Sequence, residues 1–206
     1  MTRAGFFRLL RLLRSTGWAV FAVAALLPCT PASAADHWNI AQLMTLLGQQ
    51  NSGRAGFVER KYLAVLAAPV ESSGELRFRA PDRLEKITVK PRPESLVLDG
   101  DTLTVMRGER RHIVRLSDYR EVAAFVDSIR ATLAGDRAAL ERTYALNLAG
   151  TAERWSLTLL PRDPRMAEVV LRVTIAGSRA QLREIEILQA DGDRSVMEIV
   201  ATASGR

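Results

Sequence analysis

Glu75-Leu76-Arg77-Phe78-Arg79 decides the fold: apolar and charged residues alternate strictly, so Leu76 and Phe78 point to one side of an extended chain and Glu75, Arg77 and Arg79 to the other. One face is expected to be covered and the other wet. Upstream, Gly56-Phe57-Val58-Glu59-Arg60-Lys61-Tyr62-Leu63 reads as another strand closing near Pro69, with a turn at Ser72-Ser73-Gly74 between the two. Downstream, Leu84 with Ile87 and Val89 forms a strand punctuated by Pro91 and Pro93, and Leu96 and Leu98 share a face of the next. Asp99-Gly100-Asp101 is a tight-turn signal leading to Leu103 and Val105, and Gly108-Glu109 turns the chain into residues 111–116. The result is a meander of short strands.

The period then changes. Val122, Phe125, Val126, Ile129 and Leu133 recur at helical spacing over 119–133, with Ser117 or Asp118 placed to cap the start and Gly135 the end; a short helix follows over 136–142. A third amphipathic segment spans 38–47, carrying Trp38, Ile40, Leu43, Met44 and Leu47 before Gly48. Strand periodicity resumes in Tyr144-Leu146-Leu148, Trp155-Leu157-Leu159, Val169-Leu171-Val173-Ile175, Ile185-Ile187 and, after the Asp191-Gly192-Asp193 turn, residues 196–200. The predicted class is α+β: a curved antiparallel half-barrel of about ten strands with a helical lid. Strands with one apolar face each must cover it, and an unclosed barrel whose inward side chains do not fill it has room for a ligand.

The inward wall is expected to comprise Leu76, Phe78, Leu84, Leu96, Leu98 and Leu103, together with Val105, Leu157, Leu159, Leu171 and Val173. The lid is expected to present Leu43, Leu47, Val122, Phe125, Val126 and Ile129. Alternating aliphatics are also ordinary core in any β-sandwich, so periodicity alone leaves a dry interior open.

The first 34 residues read as a Sec signal peptide: Arg3, Arg8, Arg11 and Arg14 form a basic leader, residues 17–27 an apolar run too short to span a bilayer, and Ala32-Ser33-Ala34 a cleavage site. Cys29 stands where an acylated lipoprotein cysteine could stand, but Pro28 beside the scissile bond suits that processing poorly. Cleavage after Ala34 leaves 206 − 34 = 172 residues, 35–206, as a single domain without cysteine, which removes disulfides, thiol catalysis and zinc–thiolate sites. The formal charge of +6 falls to +2 once the four leader arginines are subtracted, 29 − 4 = 25 against 23, so nucleic-acid binding loses its main support. His37 and His112 belong to no nucleophile–base or metal-spaced cluster, and Gly192 between Asp191 and Asp193 breaks the grammar of a calcium loop that could include Glu198. Neither an enzyme, a cofactor nor a metal is expected. Arg162, Asp163 and Arg165 read as an exposed loop.

Five ordered stretches carry a family resemblance: Phe57-Val58-Glu59-Arg60; Gly74-Glu75-Leu76-Arg77-Phe78 before Pro81; Pro93-Glu94-Ser95-Leu96-Val97-Leu98-Asp99-Gly100-Asp101-Thr102-Leu103; Trp155-Ser156-Leu157-Thr158-Leu159-Leu160-Pro161; and Ile185-Glu186-Ile187 running to Asp191-Gly192-Asp193-Arg194-Ser195. Together they resemble the LolA family of periplasmic lipoprotein carriers, and more closely its divergent LolA-like branch. The resemblance implies a periplasmic monomer that takes lipoprotein or lipid cargo from an inner-membrane transporter and passes it to an outer-membrane acceptor. It equally admits a docking module of a glycolipid or aryl-polyene-type export pathway. Two departures stand out: Glu59 replaces the family's glutamine, and Ala80 replaces the arginine that precedes the strand-end proline and helps hold the lid shut.

Overall fold

A computed structural model describes residues 38–201, the side chains of 120–122, 124 and 201 aside. The signal-peptide reading of 1–34, Cys29, His37 and the side chain of Val122 lie outside the described residues. The chain opens with α1 (Ile40–Leu47), held by a reciprocal cap in which the Asn39 side chain accepts from the Gln42 N–H and the Gln42 side chain from that of Asn39. Six strands follow: β1 (Ser52–Tyr62), β2 (Val70–Arg79), β3 (Arg83–Lys90), β4 (Glu94–Asp99), β5 (Thr102–Arg107) and β6 (Arg110–Arg115). Helices α2 (Arg120–Leu133) and α3 (Arg137–Thr143) lead to β7 (Tyr144–Thr151) and β8 (Arg154–Pro161). After a single turn, α4 (Pro164–Ala167), come β9 (Val170–Ser178), β10 (Gln181–Gln189) and β11 (Arg194–Ala201).

All eleven strands form one open antiparallel sheet in the order β6-β5-β4-β3-β2-β1-β11-β10-β9-β8-β7, the curved half-barrel expected from the alternation. This order explains the lid. Strands β6 and β7 are the two outer edges, so the connection between them must travel the width of the sheet, and it does so through α2, whose 14 residues span about 21 Å.

Helices cover the concave face unequally. Against β7, β8 and β9 the packing is tight: Trp155, Leu157, Leu159, Val173 and Ile175 are buried with Leu43, Met44 and Leu47 of α1, Leu140 of α3 and Tyr144. Gly135 closes this corner. Its φ of +66° suits the left-handed turn between α2 and α3, and a Cβ there would lie 2.1 Å from the Met44 carbonyl oxygen. Gly135→Ala should therefore cost more than about 2 kcal/mol in urea unfolding, strain and collision adding together.

Four local expectations are corrected. Ser72-Ser73-Gly74 is not a turn but part of β2, paired in register with Phe57, Val58 and Glu59; the chain reverses over 63–69 instead. Leu171 does not share a face with Val173: β10 pairs Leu188 with Arg172 and Gln189 with Val170, so Leu171 is the extra residue of a bulge and stands 45% exposed. Ser117 and Asp118 do not cap α2, whose first turn has no side-chain cap, because the Ser117 hydroxyl and N–H both donate to the Asp101 carboxylate at 2.7 and 2.9 Å. The stretch around Arg162 and Arg165 is not simply loop: Asp163 caps α4, and Met166 is buried beneath it.

Candidate functional site

Away from the dry corner, the concave face surrounds a cavity of about 830 Å³, within the range of small-molecule sites. Its floor is built by parity. Phe78, Leu84 and Leu98 lie opposite one another across β2, β3 and β4, with Leu76 and Leu96 in the next row and Leu103 beyond on β5. Its roof is the apolar stripe of α2, where Phe125, Val126, Ile129 and Leu133 face the cavity at helical spacing. The far wall is Ile185 and Ile187 of β10 with Met197 and Ile199 of β11.

The sequence-based site set divides between these regions, with Phe125 and Ile129 at the boundary, lining the cavity while packing against the buried cluster. Leu76, Phe78, Leu84, Leu96, Leu98, Leu103, Phe125, Val126 and Ile129 are brought together around the cavity. Leu43, Leu47, Leu157, Leu159 and Val173 point to the concave side but are sealed in the helix-covered corner, with at most 1% of their surface exposed. Val105 sits half-buried opposite Leu96 and does not line the cavity, and Leu171 is turned outward by its bulge.

Sequence reading missed the polar part of the wall. Phe57, Glu59 and Lys61 share the inward parity of β1, as Leu84 and Lys86 do on β3 and Ser195 and Met197 on β11; these alternations were readable but a charged inward position does not look like wall. Glu59 is only 5% exposed, and its carboxylate accepts from the Ser195 hydroxyl at 2.8 Å, the Ser72 hydroxyl at 3.3 Å and the Lys86 ammonium. Lys61 Nζ lies 3.8 Å from the same carboxylate. Burial pushes the Glu59 carboxyl up, but the hydrogen bond and charge of Lys86, with Lys61 and Ser195, outweigh it and hold the group below the ordinary glutamate value.

The register explains how Lys86 reaches Glu59 from two strands away. Lys86 lies opposite Leu76, and the next inward position of β2 is Gly74, which pairs with Phe57 on β1. The lysine stem passes over the Phe57 ring, its ammonium 5.0 Å from the ring centroid, and ends on the carboxylate.

Two contacts tie the lid to the β4–β5 turn. Arg130 of α2 donates through Nη1 to the Gly100 carbonyl oxygen at 2.8 Å, and Asp101 holds Ser117 at the head of the helix. The turn thus grips both ends of α2, on a chain with alanine at position 80. Among the described residues, no group of three or more His, Cys, Asp or Glu is arranged to hold a metal ion.

The site is thus an apolar cavity in an open half-barrel, with one helix lying over it. The family model for outer membrane lipoprotein carrier protein LolA-like matches residues 31–205, and the protein belongs to that family. An outer-membrane lipoprotein carrier protein of Albidiferax ferrireducens is 26% identical over 159 residues, covering 71% of this chain and 72% of that one. Among solved structures, a LolA superfamily protein of Nitrosomonas europaea is similar at 12% identity and a TM-score of 0.42, over 82% of this chain and 96% of its own. The lipoprotein LppX of Mycobacterium tuberculosis is similar at 10% identity and a TM-score of 0.41, over 78% and 92%. The family is one of carriers and binding proteins rather than enzymes.

Proposed function

We propose that the protein is a periplasmic carrier that takes the acyl chains of a lipoprotein or related envelope lipid into this cavity and ferries them from the inner to the outer membrane. The observation that carries the reading is the contrast between the two halves of one apolar face: one is filled by helices α1 and α3, and the other is left as a cavity of about 830 Å³ under a single helix. Exposed aliphatic surface of that extent has a free-energy cost that the chain could have removed with bulkier side chains, and an alkyl ligand removes it instead. Family membership supports the same reading. Donor and acceptor are the inner-membrane transporter and the outer-membrane receptor that such a carrier requires. Energy input is then needed only at the donor, since transfer onward follows relative affinity.

Native mass spectrometry of the protein recovered from periplasm, followed by organic extraction, should reveal bound lipid. Phe125→Asp should abolish uptake of a fluorescent alkyl probe while circular dichroism and thermal unfolding stay close to wild type, because Phe125 faces the cavity and a carboxylate there would be desolvated by cargo. Absence of lipid together with an unchanged probe signal in wild type would point to a docking module instead.

A further inference from the structure

We infer that the cavity carries a head-group subsite for an anionic amphiphile, built by Lys86 and Lys61 around Glu59, so that cargo enters with an acidic head, a carboxylate or phosphate, on its alkyl chain. The inference rests on the carrier reading above and names the chemical class of its ligand.

The argument begins with charge. Two ammonium groups, Lys86 and Lys61, flank one carboxylate on the inward face, leaving that cluster one positive charge in excess. The nearby charges of β11 and its turn do not cancel it: Asp193 accepts from the Ala64 N–H at 2.8 Å, and Arg194 stacks on Tyr62 with its guanidinium carbon 4.5 Å from the ring centroid. One is negative and the other positive. All four side chains lie on the cavity wall with Glu59.

Donor capacity points the same way. Lys86 has three N–H donors and spends one on Glu59, with 22% of its side chain still exposed toward the cavity. Glu59 is already satisfied by Ser72, Ser195 and Lys86, so it offers a cationic ligand little. Position completes the case. Lys86 lies directly opposite Leu76 on one side and Leu96 on the other, so an acid held by its ammonium would have its chain already against the aliphatic floor. A cavity meant only for neutral chains has no use for an excess ammonium, whose partial desolvation is a cost until an anion arrives.

The test compares two fluorescent probes with the same long alkyl chain, one ending in a carboxylate and one in an alcohol, titrated at pH 8 and low salt into the wild-type protein. The acid should bind about tenfold more tightly, as one charge-assisted hydrogen bond in a half-desolvated site implies. Lys61→Met, at a side chain 52% exposed, should shrink that preference, read as the ratio of acid to alcohol affinity. Glu59→Gln, which frees Lys86 from its partner, should enlarge the preference. Equal binding of both probes by wild type overturns the head-group subsite and leaves the carrier reading standing. Binding of neither overturns the carrier reading and this inference with it. A Glu59→Gln protein with weaker acid preference also overturns it, since a purely structural role for the cluster cannot raise selectivity. Inorganic phosphate that binds as tightly as the acid probe would show that the alkyl chain adds nothing, assigning the subsite to free anions rather than to a lipid head, and so counts against it.

Discussion

Leu157→Ala is expected to lower stability by about 2–5 kcal/mol while leaving the affinity of folded protein for an alkyl probe unchanged. Leu157 is fully buried on β8 among Leu43, Leu47 and Ile175, a site where the neighbours are held by two helices and cannot collapse inward. Leu98→Ala makes the instructive contrast. Leu98 lies on the cavity floor, so its loss enlarges an existing space and should cost less stability but more probe affinity. Urea unfolding and fluorescence titration of both variants read the two effects separately. Probe affinity falling in step with stability for Leu157→Ala would show that the corner and the cavity are one continuous site.

The second large effect is at Glu59. Glu59→Leu should destabilise the fold by about 2–4 kcal/mol, near the low end for one partner of a buried pair, because the stranded Lys86 ammonium can still reach some solvent. Adding Lys86→Met should recover most of that loss, since an apolar pair of similar volume leaves no uncompensated charge. The pH dependence follows from the direction of the Glu59 shift. A carboxyl held below its ordinary value of 4.5 in the folded protein contributes stability that is complete above that value and is lost as pH falls through the lowered one. Unfolding curves between pH 7 and pH 3 should therefore show a decline in wild type that Glu59→Gln makes shallower. An equal decline in both proteins would sink the assignment.

Much of this architecture is legible in the chain, and the parts that are not have physical reasons. Alternation at Leu76, Phe78, Leu96 and Leu98 identifies the inward face, because a period of two survives any sheet curvature. The stripe of Phe125, Val126 and Ile129 likewise marks a helix with one face to cover. What periodicity cannot say is which part of an inward face another helix will land on. Leu157 and Leu159 alternate just as Leu96 and Leu98 do, and only the positions of α1 and α3 make the first pair core and the second cavity wall. Leu171 fails for a different reason: a bulge inserts one residue and reverses parity without a compositional mark. Glu59 and Lys86 escaped notice as partners because their meeting depends on the register across three strands rather than on a pattern in one.

A sheet that never closes has margins, and β6 forms one of them. Arg110, Arg111 and Arg115 stand exposed along it, with Ile113 also uncovered between them. Two copies meeting margin to margin would bring these guanidinium groups together at strand spacing, where like-charge repulsion opposes the new ladder. The open wall that makes room for a guest therefore comes with a built-in deterrent to stacking into aggregates, and that deterrent weakens as salt rises.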